Sequence, residues 1–267
     1  MTTNTISLTP RRERGWQMGL GNMLAKEINA WLRTRRWWMQ CLIAIFLYNG
    51  LFVANMEASH DILNAGLSFL MIAGCAAPFV AILMGQDSIL GERQSGTAAW
   101  VLSKPLRRPA FILAKLIAYG LGLLATWVVL PGGIAYLQFR AYGLDQLSIP
   151  GYVAGMGLVY LNLLFYLTLA LMLATLFNGR GPGVGIALLN LLSCSVLLDP
   201  IVAYAPWLLK VLPWNLLLPF GYGAGSPLAG YLMLEEPLPT VTPIIATAAW
   251  CVLFVGVALW RFRREEF

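Results

Sequence analysis

The sequence predicts an all-α integral membrane protein. Six transmembrane helices are expected, with an N-terminal interfacial amphipathic helix and a re-entrant outer hairpin before the last helix. Apolar residues make up 59% of the chain and charged residues 11%, against about 45–50% and about 25% in soluble domains. The apolar residues also fall in blocks of about 20, the number that crosses about 30 Å of hydrocarbon at about 1.5 Å per residue. The cations cluster at one set of segment ends, which orients the chain.

Residues 1–37 are expected as a cytoplasmic N-terminus. Arg and Trp are spread along them, and no short apolar core with a small-residue cleavage site follows, so no removable signal peptide is predicted. Between Trp16 and Arg36, Leu20, Leu24, Ile28, Trp31 and Leu32 recur at three- and four-residue intervals. Lys26, Glu27, Asn29 and Arg33 fill the rest of the wheel. Such a helix lies along the interface with its basic face toward headgroups, as an anchor or as part of a docking surface. Trp31, Trp37 and Trp38 are interface anchors, and Lys115 is a fourth, near the start of a later span.

Spans are expected at 38–56, 62–85, 111–139, 152–177, 183–199 and 241–260, within a transmembrane domain of residues 38–260. Asn55-Met56-Glu57, Gly85-Gln86-Asp87 and Asn178-Gly179-Arg180-Gly181-Pro182 close the first, second and fourth. Pro131-Gly132-Gly133 predicts a kink or tilt in the third. The segment 200–239 is too apolar for a solvent loop and is broken by Pro206, Pro213, Pro219 and Pro227. A re-entrant outer hairpin fits it, with an extra pair of spans as the alternative. With the N-terminus inside, 16 of the 18 Lys and Arg face the cytoplasm, and only Arg140 and Lys210 do not. Both termini, including the tail 261–267, are therefore expected in the cytoplasm, and the net charge of +6 reads as topology and lipid contact, not as a nucleic-acid surface.

Several chemistries are excluded. There is no G-x-x-x-x-G-K-[ST], no H-E-x-x-H and no G-x-S-x-G, so no P-loop nucleotide site and no hydrolase is expected in this chain. Cys41, Cys75, Cys194 and Cys251 fall in four separate spans and His60 is alone, which reads as apolar thiols and no metal site. No ionisable residue lies at the centre of a span, where coupled carriers place carboxylates or histidine. Asn162, Asn190 and Thr168 are the deepest polar groups of the fourth and fifth spans. They serve as interhelical hydrogen-bond glue or, for the two asparagines, as contacts along a pathway.

The one long polar run in the interior is 87–115, which holds Asp87, Glu92, Arg93, Lys104, Arg107, Arg108 and Lys115. Asp87, Glu92-Arg93, Gly96-Thr97, a short helix over Ala98–Leu102, Pro105, Arg107-Arg108 and Lys115 together resemble the permease subunits of ABC type-2 transporters. The resemblance extends over the whole chain, through the interfacial helix, six spans, outer segment and basic tail. It departs from the family at Ala98-Ala99-Trp100, where aliphatic residues are commoner.

The resemblance implies a cytoplasmic coupling loop at 86–110 that docks on a separate ATP-hydrolysing subunit. Asp87, Glu92, Arg93, Gly96, Thr97, Trp100, Leu102, Pro105 and Arg108 are its candidate residues. Gly96 permits a turn, Thr97 caps the next helix, Pro105 ends it, and Glu92 and Arg93 lock the loop or pair across the interface. The implied partners are two copies of an ABC ATP-binding subunit, a second permease half, identical or homologous, and membrane lipids. ATP and Mg would sit on the partner, with no cofactor in this chain. The implied setting is a plasma membrane of the bacterial or archaeal inner-membrane kind. Without buried charge, the expected cargo is amphipathic or hydrophobic and exported. The competing functions are a non-transporting anchor or scaffold and an ion-coupled carrier.

Overall fold

The computed structural model describes residues 18–96, 106–144, 147–196, 204–205, 207–218 and 227–264. Among them every regular element is helical. In chain order these are α1 (Leu20–Arg33), α2 (Arg36–Ile45), α3 (Leu51–Ser59), α4 (Ile62–Gln94), α5 (Arg108–Leu123), α6 (Leu130–Ala141), α7 (Ile149–Leu176), α8 (Arg180–Val196), α9 (Trp207–Val211), α10 (Leu228–Met233) and α11 (Thr242–Arg263). A π-helical turn at Phe46–Gly50 joins α2 to α3, and a second at Leu124–Val129 joins α5 to α6.

Five continuous helices are long and apolar enough to cross a membrane: Trp37–Ser59, Ile62–Gln94, Arg108–Ala141, Ile149–Leu176 and Thr242–Arg263. The span expected at 183–199 corresponds to α8, of which 17 residues are described. Within the segment 200–239, α9 has five residues, a 3-10 turn at Pro213–Leu216 has four, and α10 has six. Each is far short of the roughly 20 residues of a span. They pack against the bundle, burying Trp214, Leu216, Leu217 and Leu228.

Helix α7 is the centre, in contact with α4, α8, α10 and α11. Close approach is made possible by small residues where backbones meet. A Cβ on Gly85 of α4 would lie 2.7 Å from the Ala170 Cβ of α7, and one on Gly155 of α7 would lie 2.9 Å from the Ala229 carbonyl of α10. No disulfide links Cys41, Cys75 and Cys251, and Cys75 is exposed on the outside of the bundle, not buried in it as a core thiol.

Two expectations need correction. The second span was expected to close at Gly85, but α4 runs on to Gln94, where Gly96 with φ +71° turns the chain away. Polar residues end the greasy part of a span, yet a helix keeps its own backbone bonds in water and need not stop there. Asp87, Glu92 and Arg93 are thus helical, so the first nine residues of the expected loop 86–110 belong to α4. The distortion expected at Pro131, as a kink or a tilt, takes the form of a π-turn just before it at Leu124–Val129; Pro131 has no N–H to donate. Asn49 Nδ2 donates to the Pro131 carbonyl at 3.2 Å, joining the two π-turn regions.

Candidate functional site

The charged residues gather at one end of the bundle, where α4 and α7 finish, α5 and α8 begin, and α1 lies across them. Helix α1 exists as an amphipathic element, but its inward stripe is Leu20, Met23, Leu24, Glu27, Ile28 and Trp31. Glu27 lies within that stripe and is 9% exposed. The stripe faces α5. The start of α1 is fixed by Gly19, whose φ of +84° and contact with Leu106 leave no room for a side chain. The backbone N–H of Arg107 donates to the Met18 carbonyl at 3.1 Å. The entry to α1 and the entry to α5 are therefore tied together.

Lys115 of α5 points into this junction and is 1% exposed. Its Nζ lies 3.3 Å from Glu27 Oε1 and 3.1 Å from Glu92 Oε1. Lys26 Nζ is 3.1 Å from the same Glu92 oxygen and 3.7 Å from Glu27 Oε1. Among the described residues, two lysines and two glutamates cluster on three helices, α1, α4 and α5. The Lys115 ammonium also sits 4.9 Å over the Phe111 ring, which stacks on Phe262 of α11 at 5.3 Å. Lys115 was expected to snorkel as an interface anchor. Its partners are instead inside the protein, so the correction follows from packing: the cost of burying an ammonium is offset only by carboxylates brought to it from other helices.

The neighbouring helix ends are pinned by further polar contacts. Arg93 donates to the Ala174 carbonyl at 3.1 Å and Gln86 to the Ala170 carbonyl at 2.9 Å, joining the end of α4 to the end of α7. Arg180 of α8 meets Asp87 at 2.7 Å, with both side chains about half exposed. Arg108 donates to the Arg263 carbonyl at 2.7 Å, satisfying an acceptor at the last turn of α11. A cavity of about 150 Å³ lies between α1, α2, α4 and α5, bordered by Glu27, Trp31, Gln40 and Asp87.

Of the residues expected from the sequence, Asp87, Glu92, Arg93, Arg108 and Lys115 are brought together at this end, and Gly96 makes the turn leaving α4. Thr97, Trp100, Leu102 and Pro105 lie outside the described residues. Trp31 packs over Gly122 of α5, while Trp37 and Trp38 are 37% and 41% exposed. Asn162 is buried in α7 and Asn190 half-buried in α8, both away from the cluster. Glu27 was missed as a site residue. Its signal was present: a carboxylate seven residues after Leu20 falls on the same face as Leu20, Leu24, Ile28 and Trp31.

The family described as ABC-2 family transporter protein matches residues 21–267. The chain is similar to "Probable ABC transporter permease protein NosY" of Stutzerimonas stutzeri, at 26% identity over 277 aligned residues covering 91% of this chain and 98% of the relative. It is also similar to the protein of the same name from Pseudomonas aeruginosa, at 26% identity over 210 residues covering 72% of this chain and 74% of the relative.

Proposed function

Because the chain belongs to the ABC-2 family of transporter proteins, as its membrane-embedded component and not the ATPase, we propose that it is the permease half of an ATP-driven exporter coupled through residues 86–110. The segment 97–105, which carries Thr97, Trp100, Leu102 and Pro105, docks on the ATP-binding subunit. ATP and Mg reside on that subunit. Two such subunits serve two permease halves, this chain and a second that is identical or homologous. The charged end of the bundle faces the cytoplasm, with both termini on that side.

The observation that carries this reading is the buried Lys115 between Glu27 and Glu92. α4 ends two residues after Glu92, and α5 begins seven residues before Lys115. This cluster, with Lys115 buried and Lys26 about half exposed, joins both ends of that segment to α1, so that α1, α4 and α5 act as one unit. A push on the segment is delivered to three helices at once, and the bundle responds by shifting between two packings. Arg93 and Arg108 pass the same displacement to α7 and α11 through their carbonyl contacts. The spans carry no ionisable group at mid-membrane, which favours an amphipathic or hydrophobic cargo.

The test is co-purification of tagged chain from native membranes. The wild type retains an ATP-hydrolysing subunit, and a chain lacking 97–104 reaches the membrane but loses it. Retention of the ATPase by the deletion overturns the docking assignment. In liposomes, ATP turnover by the intact complex rises with a lipophilic cargo. Turnover indifferent to every cargo, with the complex intact, points to an anchoring role instead.

A further inference from the structure

At the half of the bundle opposite the charged end, α5–α6 and α7 part to leave an apolar groove of about 510 Å³. Leu124, Val128 and Gly133 line one wall, and Val153, Met156 and Gly157 the other. We propose that this groove holds one phospholipid acyl chain of the leaflet opposite the charged end. The inference rests on the membrane placement of the helices and not on the ATP-coupled reading.

Depth and length support it. Leu124 lies 12 residues before Tyr136, about 18 Å along the axis, a little over half of a hydrocarbon layer about 30 Å thick. Tyr136 lies four residues, about one turn, before the exposed Arg140 near the end of α6, at the far boundary of that layer. The groove thus starts at the bilayer centre and ends at the opposite headgroups, the extent of a single leaflet's chain. At that boundary Tyr136 and Tyr152 lie with ring centroids 5.2 Å apart, an aromatic rim at headgroup level.

The floor is built to stay open. A Cβ on Gly133 or Gly157 would meet nothing within 4 Å, unlike Gly132, whose Cβ would sit 2.6 Å from the Met156 methyl. Gly132 is small because Met156 occupies its space. Gly133 and Gly157 have space for a side chain and do without one, at about 0.5–1 kcal/mol of helix stability each. The Tyr152 hydroxyl donates to the Gly132 carbonyl at 2.6 Å, so it is turned back onto α6. An apolar groove of this kind does not hold water, and the medium beside it is hydrocarbon.

The test uses the full chain in phosphatidylethanolamine/phosphatidylglycerol vesicles carrying a phospholipid with a mid-chain diazirine. After illumination, labelled peptides are mapped by mass spectrometry. Labelling is expected to concentrate on 124–136 and 149–160, above the exposed face of α11 at Val252. Gly133→Leu, which fills open space, lowers groove labelling to the Val252 level, and Val153→Phe does the same from an exposed position should the first variant fold poorly. Even labelling of all lipid-facing helices in the wild type overturns the proposal. So does labelling that both fillers leave unchanged, or cross-linking of the groove to a second copy of the chain in place of lipid.

Discussion

The two ends of this bundle are assembled by different physics. At the charged end, helices meet through directional contacts: Lys115 with Glu27 and Glu92, Arg93 and Gln86 with carbonyls of α7, Arg108 with the end of α11. At the opposite end directional contacts are fewer and neutral at α6, where Tyr152 and Asn49 reach the Gly132 and Pro131 carbonyls, while α7 meets α10 through Gly155 and parts from α6 along a groove. Contacts that need particular angles hold helices in one arrangement. Smooth packing of small residues lets them slide or admit hydrocarbon. Ion pairs are thus concentrated at the charged end, and the open apolar groove at the other.

That contrast can be broken most severely at its charged end. Lys115→Met leaves Glu27 and Glu92 facing each other with one lysine between them. The expected loss is about 3 kcal/mol, the low end for breaking a buried ion pair because Lys26 remains. Thermal unfolding in detergent measures it, and adding Glu27→Gln to Lys115→Met recovers part of the loss, since the two sites couple.

The next largest effect compares two glycines of α7. Gly155→Leu drives a side chain into Met233 and the Ala229 carbonyl and costs about 1–3 kcal/mol as overpacking. Gly157→Leu, two residues on and facing open space, leaves the unfolding temperature unchanged or raises it. Tyr152→Phe removes the bond to the Gly132 carbonyl and costs about 0.6 kcal/mol, the average for such bonds between membrane helices. The smallest effect is Asp87→Asn. The Arg180–Asp87 pair is about half exposed on both sides and contributes about 0–1 kcal/mol, less at high salt.

How much of this was legible follows from what each signal measures. Hydropathy marks where hydrocarbon ends, so five of the expected spans were readable but the continuation of α4 from Gly85 to Gln94 was not. Glu27 was readable and was passed over, because a carboxylate on an amphipathic helix is ordinarily counted with the polar face. Lys115 was beyond reach: a lysine near the end of a span snorkels unless partners close over it, and Glu27 is 88 positions away in the chain. The proline-glycine run at 131–133 foretold a distortion of the third span. The π-turn at Phe46–Gly50 had no comparable sign, since it is held in part by Asn49 reaching Pro131 across 82 positions. The groove also escaped notice, because Gly133 and Gly157 look like any other helix-packing glycines until their empty surroundings are seen.

Pulsed electron resonance on the co-purified complex, with spin labels at the exposed positions Asn29 of α1 and Gln94 of α4, tests the single unit at the charged end. ATP should leave the distance between the labels unchanged in the wild type and shift or broaden it in Lys115→Met. A wild-type distance that changes on ATP binding would mean that α1 and α4 do not move as one body, and the account would be wrong.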